Sequence, residues 1–146
     1  MYSIRKATPK DIDAIVELAV ESVSRDPLPV RIDRDAMRAM ALECMGPAHF
    51  AWVAEVDGKV QAAVVACSQQ GFWFTRQQCS VLLFYSRVKG AGLPLMRRFA
   101  EWVKGRPAIK LAVFELEPGV DPRILKALKR MGFARESANL TYVREA

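Results

Sequence analysis

The residues whose types and spacing point most directly to chemistry form one short loop, Arg87-Val88-Lys89-Gly90-Ala91-Gly92. An apolar run predicted to be a strand ends just before it, and a helical pattern follows it. The glycines let backbone N–H groups approach a bound group closely, and the helix offers unpaired N–H groups and the positive end of its dipole. Pro94 fits the first turn of that helix. The loop therefore predicts an anion site suited to a pyrophosphate, with Arg87 and Lys89 as mobile cations beside it.

Two familiar phosphate-binding loops differ from this segment. A P-loop ends in Gly-Lys-Ser or Gly-Lys-Thr, which the sequence lacks here. The dinucleotide fingerprint needs three glycines at fixed spacing within an early βαβ unit, and neither feature is present. The remaining structural alternative is that Gly90 and Gly92 only shape a turn between a strand and a helix.

The elements around the loop predict a mixed sheet flanked by helices. Asp57-Gly58 is a dipeptide typical of tight hairpin turns, and the unalternating run Val81–Tyr85 is typical of a strand buried on both faces. Thr8 and Asp33 are predicted to cap the first two helices, and Asp121-Pro122 the last one. The predicted order is β-α-α-β-β-β-α-β-α-β-β, an α/β class fold of the α+β mixed-sheet kind, in one domain over residues 1–146. The predicted strands are Tyr2–Lys6, Phe50–Val56, Val60–Ser68, Val81–Tyr85, Ile109–Val113 and a closing pair between Phe133 and Arg144.

Length and composition restrict the class of protein. A chain of 146 residues with 51% hydrophobic and 26% charged residues is suited to one folded domain and argues against disorder. No apolar run approaches the roughly 20 residues of a membrane span, and no signal peptide is evident, so a cytoplasmic location is expected. The net charge of +6 suits a polyanionic partner, either nucleic acid or a phosphorylated cofactor, or simply a solvated basic surface.

Cysteine and histidine usage argues against a metal site. Cys44, Cys67 and Cys79 are widely spaced among apolar residues, and His49 is the only histidine. Metal sites need clustered ligands, so we expect buried free thiols and no metal. As a single histidine ahead of a strand, His49 is expected to have a structural role.

On these residues the chain resembles the GNAT superfamily of N-acyltransferases. That family carries Arg/Gln-x-x-Gly-x-Gly/Ala between its fourth strand and third helix, and Arg87, Gly90 and Gly92 match the pattern. The resemblance extends over the chain, from the opening strand with Thr-Pro-Lys-Asp to the late segment ending in Gly132-Phe133. Phe99-Ala100-Glu101-Trp102 in the third helix is similar to short, often phage-borne members.

The resemblance implies acetyl-CoA, or a related acyl-CoA, as the acyl donor, and an amine as the acceptor. Main-chain groups of the fourth strand would bind the pantetheine arm as if it were another strand, and the loop amides would bind the pyrophosphate. The thioester would lie where the fourth and fifth strands separate, near Phe84 and Val113. The residues expected to contact the donor are Leu82, Leu83, Phe84, Arg87, Val88, Lys89, Gly90, Ala91, Gly92 and Leu93.

The resemblance fails at the position of the usual acid. Many family members carry a tyrosine where this chain has Leu128, which belongs to the apolar stripe of its helix. Glu115 and Glu117 are the candidates for a general base or an amine-binding carboxylate, with solvated acids at a strand end as the alternative. Tyr85 and Tyr142 could reach the cleft instead, or act as packed aromatics.

The acceptor is left open by the sequence. The cluster Phe72-Trp73-Phe74, followed by Thr75-Arg76, could line an acceptor pocket, stack a nucleobase, or pack in a core or a homodimer contact. Three functions remain: an active N-acyltransferase on a small amine, a protein amine or an amino-bearing nucleobase; a non-catalytic domain of the same fold; and a nucleic-acid-binding module with a vestigial loop.

Overall fold

Five strands form one mixed sheet in the order β1-β2-β3-β4-β5. The computed structural model describes residues 2–71, 73, 77–116 and 119–144. Neighbouring strands are antiparallel except β4 and β5, which are parallel. The elements are β1 (Ser3–Lys6), α1 (Ile12–Ser24, preceded by a 3-10 turn at Pro9–Asp11), α2 (Arg34–Cys44), β2 (Phe50–Val56), β3 (Lys59–Gln70), β4 (Gln77–Ser86), α3 (Gly92–Lys104), β5 (Ile109–Val113) and α4 (Pro122–Arg130).

The first nine elements follow the predicted order, and their local signals are visible in the structure. Asp57 and Gly58 have φ values of 53° and 77°, the left-handed pair that a tight β2–β3 hairpin requires. Asp33 accepts a hydrogen bond from the amide of Ala36 at 2.9 Å, and Asp121 accepts one from the amide of Arg123 at 2.9 Å. The predicted caps at Asp33 and Asp121 are therefore confirmed, and the predicted cap Thr8 forms a capping box with Asp11, which accepts from the Thr8 amide at 2.8 Å.

The predicted closing pair of strands between Phe133 and Arg144 is wrong. The structure assigns no strand to residues 133–144, and Leu140 and Tyr142 are 99% and 78% exposed. Phe133 turns inward, where its ring lies 6.1 Å from the rings of Phe99 and Phe114. Leu140 and Tyr142 alternate but stay exposed instead of packing into a core, and a two-stranded ribbon without a packed face is marginally stable in water.

Helices cover both faces of the sheet and create two cores. On one face, α1 and α2 pack on alternate residues of β2 and β3, with Leu18 and Cys44 fully buried. On the other face, α3 packs on the intervening residues, with Leu95 and Phe99 fully buried. This two-sided burial explains why β3 carries an unbroken small apolar run. None of the described helices has the length and apolar character that a membrane span requires.

The three cysteines are free thiols in the structure. Cys44 and Cys79 are buried, and burial raises the thiol pKa of each to about 12. Cys67 is only partly buried. The expectation of buried thiols is therefore confirmed for two of the three, and a thiol with so high a pKa is a poor nucleophile near neutral pH.

A buried carboxylate ties β1 to the start of α1. Arg5 donates to the two Asp11 oxygens at 2.7 and 2.9 Å and to Glu55 on β2 at 3.0 Å through Nε. Asp11 also accepts from the amide of Thr8 at 2.8 Å. The hydrogen bonds from Arg5 hold the pKa of Asp11 below its usual value. Asp11 thereby fixes the entry of α1 against the sheet.

Removing this carboxylate should destabilise the fold and change its response to acid. Asp11→Asn should lower the free energy of unfolding by about 2–3 kcal/mol, because a neutral amide cannot satisfy the donors of Arg5. A depressed folded pKa contributes stability that is present above the unfolded pKa and lost as pH falls through the folded value. Urea unfolding between pH 7 and pH 2 should show that loss in the parent and less of it in Asp11→Asn.

Asp13→Asn on the same helix is the matched control. Asp13 pairs with Arg38, but its side chain is 82% exposed, and exposed pairs contribute about 0–1 kcal/mol. Equal destabilisation by the two variants would contradict the role assigned to Asp11.

Candidate active site

The fourth and fifth strands separate part-way along the sheet. Their parallel pairing runs from Gln77 beside Ile109 to Ser80 beside Val113, where β5 ends. β4 continues to Ser86 and stays paired with β3, with Ser86 opposite Ala62. Residues 81–86 of β4 therefore have no strand on their second edge among the described residues. Such an edge presents backbone donors and acceptors that can pair with an extended ligand.

A bulge interrupts β4 within this unpaired stretch. Val65 pairs with Leu83 and Ala66 with Val81, so Leu82 is an extra residue with no partner on β3. Leu82 is 50% exposed, and the flanking Val81 and Leu83 belong to the cores on opposite faces of the sheet. The prediction that the whole run is buried on both faces is therefore wrong at Leu82. A bulge also turns the backbone groups of β4 out of the regular ladder.

The loop after β4 leads directly into the N-terminus of α3. Gly90 has a φ of 92°, and a Cβ built there would meet nothing within 4 Å, so the backbone is strained for other residues while the space around it is open. The hydroxyl of Tyr2 donates to the Gly90 carbonyl at 3.1 Å, and the Ser86 hydroxyl donates to the Val88 carbonyl at 2.5 Å. Both side chains hold carbonyls of the loop. The Ser86 hydroxyl also accepts from the Val88 amide at 3.2 Å, so the amides left for a ligand begin at Lys89. The Lys89 side chain is exposed.

Gly92 is required by packing. A Cβ at Gly92 would lie 3.1 Å from Cζ of Phe84, closer than most Cβ contacts. The Phe84 ring in turn meets the Phe114 ring edge-on at 5.2 Å, just past the end of β5. These two rings bridge β4 and the segment after β5 where the strands have separated. Gly92, Phe84 and Phe114 thus set the distance between the helix start and the two strands.

Arg87 already has a protein partner in the structure. Its Nε donates to both carboxylate oxygens of Glu21 on α1 at 2.9 and 3.0 Å, and its backbone amide donates to the Gln61 carbonyl at 2.9 Å. These hydrogen bonds raise the pKa of Arg87 and lower the pKa of Glu21. Arg87 therefore fixes the loop to α1, and Lys89 is the exposed cation of the loop. The sequence gives no signal for this pair, whose members lie 66 positions apart.

Solved structures similar to this fold include several acetyltransferases. A predicted acetyltransferase from Clostridium acetobutylicum, solved with acetyl-CoA, has 18% sequence identity and a TM-score of 0.72, covering 99% of this chain and 96% of that one. An aminoglycoside acetyltransferase from an uncultured soil metagenomic sample, in complex with sisomicin, has 11% identity and a TM-score of 0.66, covering 99% and 96%. Glucosamine-6-phosphate N-acetyltransferase from Arabidopsis thaliana has 14% identity and a TM-score of 0.69, covering 99% of each chain.

The chain has the GNAT fold, which it shares with these structures. The match spans nearly the full length of both proteins in each comparison, and it agrees with the element order found here. No protein-family model matches the sequence, and no curated protein matches it either. With identities below 20% in these three comparisons, the agreement lies in the fold.

The usual position of the GNAT acid is a core position in this chain. Leu128 is 2% exposed, and its carbonyl accepts from the amides of Met131 and Phe133 at 3.1 and 3.0 Å. Gly132, with a φ of 107°, closes that turn. The interpretation of Leu128 as part of the apolar stripe is confirmed, and the position supplies no proton donor.

The candidate carboxylates lie after β5 in the GNAT fold. Glu115 is exposed and directly follows Phe114, whose ring packs on Phe84. It therefore lies beside the point where β4 and β5 separate. Glu117 lies outside the described residues, so its position relative to Glu115 stays a prediction.

Tyr85 and Tyr142 occupy different surroundings. Tyr85 follows Phe84 on β4, and the guanidinium of Arg25 lies 5.4 Å from its ring centroid. Tyr142 lines a cavity of about 480 Å³ together with Leu28, Pro29, Val30, Thr141, Val143 and Arg144. Because Leu28 follows Arg25 by only three residues, this cavity begins within about 10 Å of the Arg25 backbone.

His49 and Trp73 lie outside the two separated strands. Nδ1 of His49 accepts from the amide of Ser68 at 2.9 Å, which links the start of β2 to β3 and gives His49 a structural contact. Trp73 is 90% exposed. The other members of the predicted cluster, Phe72, Phe74, Thr75 and Arg76, lie outside the described residues.

Proposed function

We propose that this protein is an N-acyltransferase that moves an acetyl group from acetyl-CoA directly to a primary amine. The observation that carries the proposal is the unpaired second half of β4, which leads into the glycine loop at the N-terminus of α3. The extended pantetheine arm of CoA needs an unpaired strand edge, and the pyrophosphate at its end needs an anion site directly after that edge. The GNAT fold, shared with an acetyltransferase solved with acetyl-CoA, supports the assignment.

The residues of the site suit such a donor. The exposed edge around Leu82, Leu83 and Phe84 would bind the pantetheine amides, as a strand binds its neighbour. The first amides of α3 lack partners within the helix, so those of Gly92 and Leu93, with the loop amides from Lys89 to Ala91, would bind the pyrophosphate. The Val88 amide, expected from the sequence to take part, donates to the Ser86 hydroxyl instead. Lys89 would approach it from solvent.

Transfer would proceed by direct attack. The neutral amine nitrogen forms a bond to the thioester carbonyl carbon, the carbon–sulfur bond breaks, and the CoA thiolate leaves. The nitrogen loses one proton, for which we propose Glu115 or Glu117 as the acceptor. No tyrosine is present at position 128 to protonate the thiolate, so the leaving group would take its proton from solvent or depart as the anion. Positioning of the two substrates then supplies much of the rate.

The acceptor would enter from the cavity formed by residues 28–30 and 141–144. Its apolar lining with Tyr142 suits an amine on an apolar or planar body, such as an amino-bearing nucleobase or a small amine. The net charge of +6 would repel polycations at long range. We therefore expect a weaker response to an aminoglycoside than to a monoamine.

The proposal also includes a homodimer that forms through the outer edge of β5. It includes a cytoplasmic location, which suits a protein with three free thiols.

The test measures acetyl transfer with the purified chain. Acetyl-CoA is incubated with separate amines, namely a monoamine, an amino-terminal alanine peptide, sisomicin and a single-stranded oligonucleotide, and free CoA and acetylated amine are quantified by chromatography. We expect CoA release that depends on an amine, with Glu115→Gln lowering kcat by about 10²–10⁴-fold at unchanged acetyl-CoA affinity if Glu115 is the base.

Two outcomes would redirect the assignment. Binding of acetyl-CoA without transfer to any amine would favour the alternative, a non-catalytic domain that keeps the donor as a structural element. Absence of binding by a folded protein would overturn the acetyl-CoA assignment altogether. Glu136→Gln is the control, because the Glu136 carboxylate pairs with Lys129. If Glu136→Gln lowered kcat as much as Glu115→Gln, the loss would be a general effect of charge.

A further inference from the structure

Positive charge is concentrated in the second part of the chain. Residues 87–146 contain 13 of the 22 Lys and Arg residues but only six of the 16 acidic residues, a net charge of +7. Residues 1–86 carry nine basic and ten acidic residues, a net charge of −1. The overall charge of +6 therefore belongs to one part of the sequence, and asymmetry of this kind indicates a polyanionic partner.

Helices α3 and α4, which belong to residues 87–146, each carry exposed cations along one face. In α4, Arg123, Lys126 and Arg130 recur at intervals of three and four residues and are exposed, while Leu128 points into the core. In α3, Arg97 and Lys104 are seven residues apart, which is two helical turns, and both are exposed. Residues at these spacings share a face of a helix.

The two cationic faces meet at the C-terminal ends of their helices. A Cβ at Gly132, just after α4, would lie 3.9 Å from Cε of Lys104, the last residue of α3. Arg106 follows Lys104 closely, and its guanidinium lies 4.7 Å from the Trp102 ring centroid. We call the set Arg97, Lys104, Arg106, Lys126 and Arg130 the α3–α4 basic face.

The C-terminal part of this basic face, with Lys104, Arg106 and Arg130, is separate from the proposed acetyl-CoA site, whereas Arg97 lies about 7.5 Å along α3 from Gly92. The loop and its anion site lie at the N-terminus of α3, and Lys104 ends the helix 12 residues after Gly92. At 1.5 Å per residue the two ends are about 18 Å apart. A pyrophosphate bound at the loop therefore cannot contact Lys104 or its neighbours at the end of α4.

The cations of this face are not neutralised within the described part of the chain. None of its five members forms an ion pair with a described residue, whereas Arg98, Arg123 and Lys129 nearby pair with Glu101, Asp121 and Glu136. The negative end of a helix dipole accounts for cations in a last turn, such as Lys104 and Arg130. It does not account for Arg97 in the middle of α3 or for Lys126.

We propose that the α3–α4 basic face binds the phosphodiester backbone of nucleic acid. Exposed large apolar residues are absent from the described part of α4 and, after Leu93, from α3, so the face has no side chains to insert into a membrane. Protein interfaces need an apolar core with few charges, which this face also lacks. Cations repeated over two helices suit a partner whose charge repeats. The inference does not depend on acetyl transfer.

The test measures the salt dependence of binding to labelled oligonucleotides. Fluorescence anisotropy with a 20-nucleotide single-stranded DNA, the RNA of the same sequence and the matching DNA duplex is recorded from 50 to 200 mM NaCl. Five phosphate contacts predict a slope of log K against log salt of about −3.5 for a single strand and about −4.5 for a duplex. The three probes distinguish DNA from RNA and single from double strands.

Two variants with equal net charge separate a site from bulk charge. Lys104→Glu/Lys126→Glu/Arg130→Glu and Lys10→Glu/Arg31→Glu/Arg34→Glu each replace three exposed cations by acids. The first should lower affinity at least about 30-fold and reduce the slope by about 2 on the single strand. The second should lower affinity less than about 3-fold, because those cations lie just before or at the start of α1 and α2, which cover the face of the sheet opposite to α3. A triple glutamine variant at positions 104, 126 and 130 gives the same comparison if the acidic variant fails to fold.

Three results would overturn the inference. Equal losses in the two charge-matched variants would mean that net charge alone draws the oligonucleotide. Absence of binding at 50 mM NaCl would remove the proposed partner. Tighter binding to vesicles with 30% phosphatidylserine than to any oligonucleotide would assign the face to a membrane surface. Acetyl-CoA binding, measured in parallel, should be unchanged in the folded variants, so failure here is distinguishable from failure of the acetyl-CoA proposal.

Discussion

Gly90→Asp should bind acetyl-CoA about 30-fold more weakly than Gly90→Asn. Gly90 has a φ of 92° and open space around it, and aspartate and asparagine are the side chains that tolerate positive φ best. The two variants have the same shape and nearly the same backbone strain, and they differ in one negative charge. That charge would lie beside the pyrophosphate, where repulsion of about 2 kcal/mol corresponds to this ratio.

Calorimetric titration of acetyl-CoA into both variants and the parent measures the effect. Gly58→Asp and Gly58→Asn are the matched controls, because Gly58 also has a positive φ and open space but lies in the β2–β3 turn. These controls should bind like the parent. Equal affinity of the two Gly90 variants would mean that the loop does not hold the pyrophosphate, even though β4 and α3 flank it.

The features that could be predicted from the sequence are the ones with a local cause. The Asp57-Gly58 turn follows from the conformations those two residues favour, and the caps at Asp33 and Asp121 follow from side chains that reach amides two or three residues away. Leu128 could be placed in the core because its helix has a clear apolar stripe. Each of these signals lies within a few residues of the structure it determines.

The features that could not be predicted depend on contacts between distant residues. Arg87 has the type and position of a phosphate ligand, yet Glu21 on α1 occupies its guanidinium, and only the packing of α1 on β4 creates that pair. The bulge at Leu82 depends on the register between β3 and β4. The segment after Phe133 has enough alternation to suggest strands but no surface to bury them against. In each case the tertiary environment overrides the local preference.

The aromatic cluster around Phe99 connects stability to the site. Phe99 is fully buried, and its ring lies 5.2 Å from that of Phe50 and 6.1 Å from those of Phe114 and Phe133. Phe114 in turn packs on Phe84, against which Gly92 fits. A single ring on α3 therefore helps to set the distance between the helix start and the separated strands.

Phe99→Ala should lower the free energy of unfolding by about 3–5 kcal/mol, because it removes a buried ring and leaves a cavity that its neighbours fill only in part. For a chain of this size the melting temperature should fall by about 10 °C or more. Urea unfolding and thermal melting followed by circular dichroism measure both. Leu93→Ala on the same helix is the control, since Leu93 is 43% exposed and its truncation should cost about 1 kcal/mol or less.

The same substitution should weaken acetyl-CoA binding in protein that is still folded. Below its melting temperature Phe99→Ala leaves Phe114 free to shift into the cavity, which loosens the contact between Phe114 and Phe84 at the start of α3. Because this effect requires the chain of ring contacts, Phe99→Leu, which keeps most of the volume, should restore most of the affinity and most of the stability. A Phe99→Ala protein that is destabilised but binds acetyl-CoA like the parent would show that Phe84 and Gly92 hold their geometry without support from the core.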